Sequence, residues 1–308
     1  MRVTVVDVGT NSTRLLVADV VDGTITELER ESTVTRLGHG VDASGSLAPE
    51  AMDRVFAALA AYRTLIDRHD AGGATIAVLT SAVRDAANGA EFTARVRADF
   101  GLDARTITGD EEAQLTFLGA TDSRAASAPV PVAVIDIGGG STEFVVGARA
   151  AVDFHVSTQV GVVRQGERHI RNDPPTREEL IAVAADVRAT FAAAVPAPVR
   201  ESVRAGVAVA GTATSAAAML LELEPYDPER VHGYRLGLPE CEALLARLAQ
   251  LDEAQRRALP GLHPDRAPTV IAGMVMLVEA MRLLGLETVE VSEHDILRGA
   301  ALHLAGTA

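Results

Sequence analysis

The segment DIGGGSTE, residues 136–143, carries residue types that suit the binding of a phosphate group and a metal ion. It follows the apolar run VPVAVI, which is typical of a buried strand. Three successive glycines leave backbone N–H groups open to close approach by an anion, and Ser141 adds a hydroxyl donor. Asp136 and Glu143 supply carboxylates, which Mg²⁺ uses together with phosphate oxygens. The sequence therefore predicts a phosphate hairpin with a metal site, against the alternative of an ordinary turn.

A second copy of this pattern makes the ordinary turn the weaker alternative. The stretch VTVVDVGTNST from Val3 aligns without gaps on VAVIDIGGGST from Val132, at an offset of 129 residues. Asp7 thereby matches Asp136. Each copy is followed by two further apolar strands, so we predict a duplicated strand–turn–strand–strand unit and two related domains.

A third glycine site lies in VAVAGTATS, residues 207–215, where an apolar strand runs into Gly211 and Thr212 before a helix. The N-terminus of a helix attracts anions through its dipole and its free N–H groups. A plain helix start with a threonine cap explains the same residues equally well on local grounds.

The remaining chain alternates strands and helices, which indicates an α/β fold with mixed sheets. Thr176 and Glu179 match a capping box, and the helix after them has an apolar face at helical spacing. The small, polar segment 122–131 is the predicted boundary between domains 1–124 and 125–308, with the last helix free to pack back on the first domain. The segment 195–199 (VPAPV) is predicted to be a loop. Helices are predicted near 48–70, 89–100, 110–121, 162–170, 177–194, 212–222, 239–249, 268–284 and 295–305, and later strands near 74–80, 104–108, 203–210 and 287–292.

The charge of the chain restricts its function. The formal net charge of −14 argues against a general nucleic-acid binder. The 308 residues include no lysine, so all 28 basic residues are arginine, and neither a P-loop lysine nor a Schiff-base lysine exists. Any cation that clamps a phosphate must be arginine.

The cysteine content and the lengths of the apolar runs indicate the cellular compartment in which the protein is expected. The single Cys241 excludes an intrachain disulfide, fits a reducing cytoplasm and is expected to serve packing. The first residues read as a strand and not as a signal peptide, and no apolar run has the length of a membrane span. We therefore expect a cytoplasmic protein without membrane contact.

Seven motifs, in order along nearly the whole chain, resemble the superfamily of acetate and sugar kinases, chaperone ATPases and actin. Within it, the sequence is most similar to the exopolyphosphatase and guanosine pentaphosphate phosphohydrolase family. The resemblance implies two ribonuclease-H-like (actin-like ATPase) domains with mixed sheets flanked by helices and an active site in the interdomain cleft. It also implies Mg²⁺ (or Mn²⁺) and a homodimer. The motifs are DVGTNSTRLL, TSAVRDAANG, ITGDEEAQLTFLGA, DIGGGSTE, GVVRQGERHIRNDPPT, VAGTATS and LPGLHPDRAPTVIAG.

The resemblance assigns roles to individual residues. By residue type alone, Asp110 reads as a helix cap, and Glu111 and Glu112 point about 100° apart in the first turn. The resemblance selects Glu112 as the general base and Arg84 as a catalytic arginine. The metal candidates are Asp136, Glu143 and Asp7. The phosphate-binding candidates are Asn11, Ser12, Thr13, Arg14, Gly138, Gly139, Gly140, Ser141, Gly211 and Thr212.

The expected activity is that of an exopolyphosphatase acting on inorganic polyphosphate. The alternatives are a guanosine pentaphosphate 5′-phosphatase, which shares the reacting group, and a nucleotide- or phosphate-binding regulator without turnover. Because the protein is acidic, we also expect a local track of arginines to guide the polyanion. Arg164, Arg168 and Arg171 have the spacing of one helical face and are the candidates. His294-Asp295 is discounted as a metal motif, and Asp295 is interpreted as a helix cap.

Overall fold

The computed structural model describes residues 1–124, 128–148 and 151–306. The chain divides into two compact units, Met1–Gly119 with the segment from Asp295 onward, and Ala120–His294. The predicted boundary lay after residue 124, with the last helix free to join the first domain. In the structure, that helix belongs to the first unit. Residues 125–127 of the predicted linker lie outside the described residues.

The first unit contains a five-stranded mixed sheet with strand order β3-β2-β1-β4-β5. The strands β1, β2 and β3 form an antiparallel meander, and β4 and β5 continue parallel to β1. The elements are β1 (Arg2–Val8), β2 (Ser12–Val21), β3 (Thr24–Val34), α1 (Val41–Ser44), α2 (Pro49–Arg68), β4 (Thr75–Leu79), α3 (Ser81–Asp85), α4 (Gly89–Phe100), β5 (Ala104–Thr106), α5 (Gly109–Thr121) and α14 (Ile296–Leu304).

The second unit contains a six-stranded mixed sheet with strand order β10-β11-β9-β6-β7-β8. Its elements are β6 (Val132–Ile137), β7 (Thr142–Ala148), β8 (Ala151–Thr158), α6 (Val162–His169), α7 (Arg177–Ala194), α8 (Ala197–Ser202), β9 (Ala205–Val209), α9 (Ala210–Leu220), α10 (Pro228–Val231), β10 (Arg235–Gly237), α11 (Leu238–Leu248), α12 (Glu253–Arg257), a single 3₁₀ turn (Pro264–Arg266), α13 (Val270–Leu283) and β11 (Thr288–Val291).

The predicted duplication is confirmed by the sheet topology. The order β3-β2-β1-β4-β5 in the first unit has its counterpart in β8-β7-β6-β9-β11 of the second, with the same parallel and antiparallel pairings. The register is equivalent as well, because Asp7 pairs with Arg14 and Asp136 pairs with Glu143 at the same place in each hairpin. Each hairpin is thus presented at the carboxyl end of a central strand, which is where open α/β sheets bind ligands.

The central strands are continuous apolar runs because both faces of each sheet are covered. In the first unit, Val6 and Val8 of β1 face one core with α2 and α4, while Val3 and Val5 face another with α5 and α14. In the second unit, one large core surrounds the nearly fully buried helix α13. Rigid strands therefore hold both hairpins.

Several local predictions can be compared with the structure. The capping box of Thr176 and Glu179 is present, and Val183, Val187 and Phe191 of α7 are buried as the helical spacing indicates. The prediction of a loop at 195–199 is wrong in part, because the short helix α8 begins at Ala197 and has Pro198 in its first turn. Proline at a helix start has a compatible φ and lacks an N–H that would be unpaired there anyway.

Two further features concern the cysteine and the membrane. Cys241 is fully buried in the core, as expected, and burial raises the pKa of its thiol to about 12. Such a thiol is not a nucleophile at neutral pH. Within the described ranges, no helix is both long and apolar enough to cross a membrane.

Candidate active site

The two predicted catalytic residues, Glu112 and Arg84, form an ion pair in the first unit. Arg84 lies in the last turn of α3, and its Nη1 donates to Glu112 Oε2 at 3.0 Å and to the Ile107 carbonyl at 3.0 Å. Both side chains are largely buried, at 22% and 11% exposed. The arginine therefore fixes the carboxylate in one orientation through a charge-assisted hydrogen bond.

The hydrogen bonds at the start of α5 give different roles to Glu111 and Glu112. The prediction that Asp110 caps this helix is wrong, because Thr108 does so: its Oγ1 accepts from Glu111 N–H at 3.1 Å, while the Glu111 carboxylate accepts from Thr108 N–H at 2.8 Å. This backbone hydrogen bond lowers the pKa of Glu111. The reciprocal bonds are those of a capping box, so Glu111 serves the helix. Glu112, one position on, is directed to Arg84.

The first hairpin joins β1 to β2 and is closed by a hydrogen bond from Gly9 N–H to the Ser12 carbonyl at 2.9 Å. Asn11 is buried, and its Oδ1 has no hydrogen-bond partner among the described atoms. Thr13 is fully buried, and its hydroxyl is 3.0 Å from that of Thr35. The structure thus directs Thr13 into the core, whereas Ser12 and Asn11 lie at the turn. Their phosphate-binding roles stay predictions.

Arg14 lies between two carboxylates in a cluster that the sequence did not predict. Its Nη2 donates to Asp7 Oδ2 at 2.7 Å, and its Nη1 donates to Asp295 Oδ2. Burial lowers the pKa of Arg14, but Asp295 and Asp7 outweigh it, and the pKa rises above its ordinary value. Asp295 also caps α14 by accepting from Leu297 N–H at 3.1 Å, as expected. The guanidinium is thus already engaged by protein, and its assignment to phosphate stays a prediction.

We expect Arg14→Met to lower the free energy of unfolding by about 3–5 kcal/mol, because it leaves two buried carboxylates without their arginine. Urea unfolding measures the change. Arg2→Met is the matched control, since Arg2 and Asp19 are also cross-strand partners of β1 and β2 but are exposed. An exposed pair contributes little to stability, because solvent and salt screen its charges. Equal effects of the two substitutions would contradict the structural role of Arg14.

The second hairpin, between β6 and β7, repeats the turn of the first. Gly138 N–H donates to the Ser141 carbonyl at 3.0 Å, the equivalent of the bond between Gly9 and Ser12. Ser141 is nearly fully buried. The hairpin carries the three glycines of the predicted phosphate site without side chains that would block an anion.

Asp136 and Glu143 are direct cross-strand partners at the base of this hairpin, and both are buried. The Ser157 hydroxyl donates to Glu143 Oε1 at 2.7 Å and orients it, a contact that the sequence did not predict. The first unit has Asp7 opposite Arg14 at the equivalent register. The acid–arginine pair of the first hairpin thus corresponds to an acid–acid pair in the second. Like charges on directly opposite strand positions repel each other.

The acid–acid pair fits a divalent cation. Hard oxygen ligands next to a phosphate-binding turn are the donor set of Mg²⁺, which commonly uses one or two carboxylates and completes its shell with water and phosphate oxygens. Among the described residues, no group of three or more His, Cys, Asp or Glu side chains is arranged to hold a metal by itself. A two-carboxylate site therefore completes the shell of the ion with water in the free protein and with phosphate oxygens when substrate is bound. In the first unit, Asp7 Oδ2 already accepts hydrogen bonds from Arg14. The metal-binding role of Asp7 stays a prediction.

The third glycine site lies at the start of α9. Ala210 has a φ of 63°, a left-handed conformation that is uncommon for a residue with a side chain. The Arg266 guanidinium lies directly against Gly211, and Thr212 packs against Gly273 of α13. The first turn of α9 has no side-chain cap from Val209. The placement of Arg266 was missed because nothing in the local sequence links it to Gly211.

The predicted arginine track is not a single helical face. The helix α6 ends at His169, and Arg171, beyond it, folds back to donate to the Glu167 and Arg168 carbonyls. Arg164 is buried, and its Nε donates to the Gly140 carbonyl at 2.7 Å. The spacing argument failed because the helix stops before Arg171, whose guanidinium then satisfies open carbonyls of the last turn.

The duplicated sheets with a hairpin at each central strand define an actin-like ATPase fold. The Ppx/GppA phosphatase family matches residues 16–305, and the chain belongs to this family. It is 40% identical to Exopolyphosphatase 2 of Mycobacterium tuberculosis, over 99% of both chains. The enzyme is thus a phosphatase, a hydrolase.

Solved structures agree with this assignment. The crystal structure of an exopolyphosphatase-like protein superposes with a TM-score of 0.91 at 32% identity, covering 98% of each chain. The Aquifex aeolicus member of the Ppx/GppA family superposes with a TM-score of 0.82 at 28% identity, covering 99% of this chain and 97% of the other. The fold expected from the sequence is therefore confirmed.

Proposed function

We propose that this phosphatase is an exopolyphosphatase, which hydrolyses the terminal phosphate of inorganic polyphosphate and releases orthophosphate. The observation that carries the proposal is the ion pair of Glu112 and Arg84, in which one buried carboxylate is oriented by one guanidinium. Hydrolysis of a phosphate group uses a base that activates water and a cation that stabilises the negative charge developing on the phosphate. The relative named exopolyphosphatase, with matching length, supports the substrate class.

In the proposed mechanism, the Glu112 carboxylate orients the attacking water and accepts its proton as the water approaches the terminal phosphorus in line. The bond between that phosphorus and the bridging oxygen breaks, and the shortened phosphate chain leaves with the bridging oxygen. Arg84 holds Glu112 and offers further N–H donors to phosphate oxygens, whose charge spreads during transfer. The N–H groups of the glycine hairpin bind the phosphate chain. Asp136 and Glu143 would hold a Mg²⁺ or Mn²⁺ ion, which would supply positive charge to neutralise the phosphate oxygens.

Two features of the composition favour a bare phosphate chain over a nucleotide. Aromatic residues make up only 3% of the chain and tryptophan is absent, so a purine base has few stacking partners. The reacting group of guanosine pentaphosphate is nevertheless the same, and the catalytic residues do not distinguish the two substrates. A direct comparison of substrates is therefore the deciding experiment.

We expect orthophosphate release from tripolyphosphate and from longer polyphosphates of defined length, with a higher kcat/KM than for guanosine pentaphosphate or ATP. The assay measures released phosphate with Mg²⁺ present. A higher kcat/KM for guanosine pentaphosphate would assign the enzyme to the nucleotide substrate instead. Binding without release from any of these compounds would indicate a regulator.

A further inference from the structure

The carbonyl groups of the three glycines, residues 138–140, each accept a hydrogen bond from the start of α6. Val162 N–H donates to the first carbonyl of residues 138–140 at 3.0 Å, and Val163 N–H donates to the second at 2.9 Å. Arg164 Nε donates to the third at 2.7 Å. Three donors from one helical turn thus bind three successive peptide groups from the same side.

This arrangement fixes the direction of the N–H groups. In a trans peptide, the carbonyl and the following N–H point to opposite sides. Because the carbonyls of residues 138–140 face α6, the N–H groups of residues 139–141 face away from it. Successive N–H groups that point to one side form an anion-binding concavity. The helix α6 thereby binds the carbonyl side of the hairpin and leaves the hairpin N–H groups of residues 139–141 on the opposite side.

The first unit has an equivalent arrangement built from different elements. Gly38 N–H donates to the Thr10 carbonyl at 2.8 Å, and the N–H groups of residues 35 and 36 donate to the Asn11 carbonyl at 3.0 and 2.8 Å. By the repeat, Thr10 and Asn11 correspond to residues 139 and 140. The same two carbonyls are therefore held from behind in both hairpins.

The close approach of the backing segment depends on Gly161, the residue before α6. A Cβ atom built on Gly161 would overlap the Gly139 carbonyl oxygen and the Gly140 carbonyl carbon. Arg164 is only 9% exposed, and a charged side chain is kept at that burial only where it is hydrogen-bonded. Both residues thus contact the hairpin backbone on the side that carries its carbonyl groups.

We infer that Arg164 and Gly161 are positioning residues for the phosphate site. They hold the hairpin peptides so that the N–H groups of residues 139–141 face the phosphate chain, and they act without touching it. The identity of the anion rests on the proposed function, whereas the positioning is a property of the free protein. The two parts can be tested separately.

The kinetic test uses Arg164→Met, which removes the donor at similar volume, and Gly161→Ala, which changes no charge. Arg164→Met loses one charge-assisted hydrogen bond, whereas the added Cβ of Gly161→Ala displaces the Gly139 carbonyl. Each is expected to raise the KM for tripolyphosphate about tenfold, with a smaller change in kcat. The slope of log KM against log salt stays that of the wild type, because no cation that touches phosphate is lost. Arg177→Met, on the exposed first residue of α7, is the control and leaves KM unchanged.

Hydrogen exchange of the free protein is the second test. In Arg164→Met, the amides of Val162 and Val163 are expected to exchange about tenfold faster, because the hairpin that accepts from them loosens. Unchanged exchange at both amides would overturn the positioning role, whatever the substrate. A wild type that releases no phosphate from tripolyphosphate would instead refute the proposed function and leave the exchange test valid. A smaller salt slope in Arg164→Met, with an unchanged KM in Gly161→Ala, would make Arg164 a direct phosphate ligand and overturn the inference.

Discussion

Glu112→Gln will lower the turnover number for polyphosphate by about 10²–10⁴-fold, the usual contribution of a positioned general base. The amide oxygen of glutamine can still accept from Arg84 Nη1, so the local packing is kept. What is lost is the ability to take a proton from water. We expect the KM to change little, because Glu112 is proposed to act on the water and not on the phosphate chain.

Glu111→Gln is the matched control for this experiment. It is the same substitution one residue earlier, and glutamine also completes a capping box with Thr108. We expect near wild-type turnover and a change in unfolding free energy of less than about 1 kcal/mol. If Glu112→Gln also retained near-normal turnover, the base would be another residue. If both variants lost activity equally, the loss would reflect the start of α5 as a whole.

The duplicated framework was predictable because it depends on local patterns. Two gapless copies of a strand–glycine–strand stretch gave both hairpins, and apolar periodicity gave the long helices. The capping box at Thr108 was readable too, since the stretch from Thr108 to Glu111 has the required spacing. Asp110 was predicted instead because it begins the acidic run of residues 110–112 and aspartate is a common N-cap residue.

The contacts that join distant segments were not predictable from spacing. Arg14 and Asp295 are 281 residues apart, and no pattern in the sequence links a strand arginine to the cap of the last helix. Arg164 was expected to face substrate because arginine is the only side chain here with a permanent positive charge. Its contact with the Gly140 carbonyl depends on how α6 returns to the hairpin, which only the fold determines.

Removal of the divalent metal is the second change with a large expected effect, and it needs no substitution. We expect excess chelator to abolish phosphate release, and Mg²⁺ or Mn²⁺ to restore it. The physical reason is the pair Asp136 and Glu143, two buried acids that face each other across β6 and β7 beside the glycine hairpin. A phosphate chain brings more negative charge to this place, so a cation is needed for binding and for transfer. Full activity in excess chelator would refute the metal role.

Metal binding can also be measured without turnover. A ligand that binds only the folded state stabilises it, by about 2.7 kcal/mol at a concentration one hundred times its Kd. We therefore expect Mg²⁺ to raise the Tm of the wild type and to have a much smaller effect on Glu143→Gln. An equal Mg²⁺-dependent rise in both proteins would place the ion elsewhere.

The repeat supplies the internal control for the metal site. Positions 14 and 143 are equivalent, but one holds an arginine against Asp7 and the other an acid against Asp136. Without metal, Glu143→Gln removes a like charge and keeps the acceptor for Ser157, so it is not expected to destabilise the protein. Arg14→Met removes the guanidinium that donates to both Asp7 and Asp295, and it destabilises the protein strongly. Opposite outcomes at equivalent positions would show that the pair of Asp7 and Arg14 stabilises the metal-free protein, whereas the pair of Asp136 and Glu143 does not.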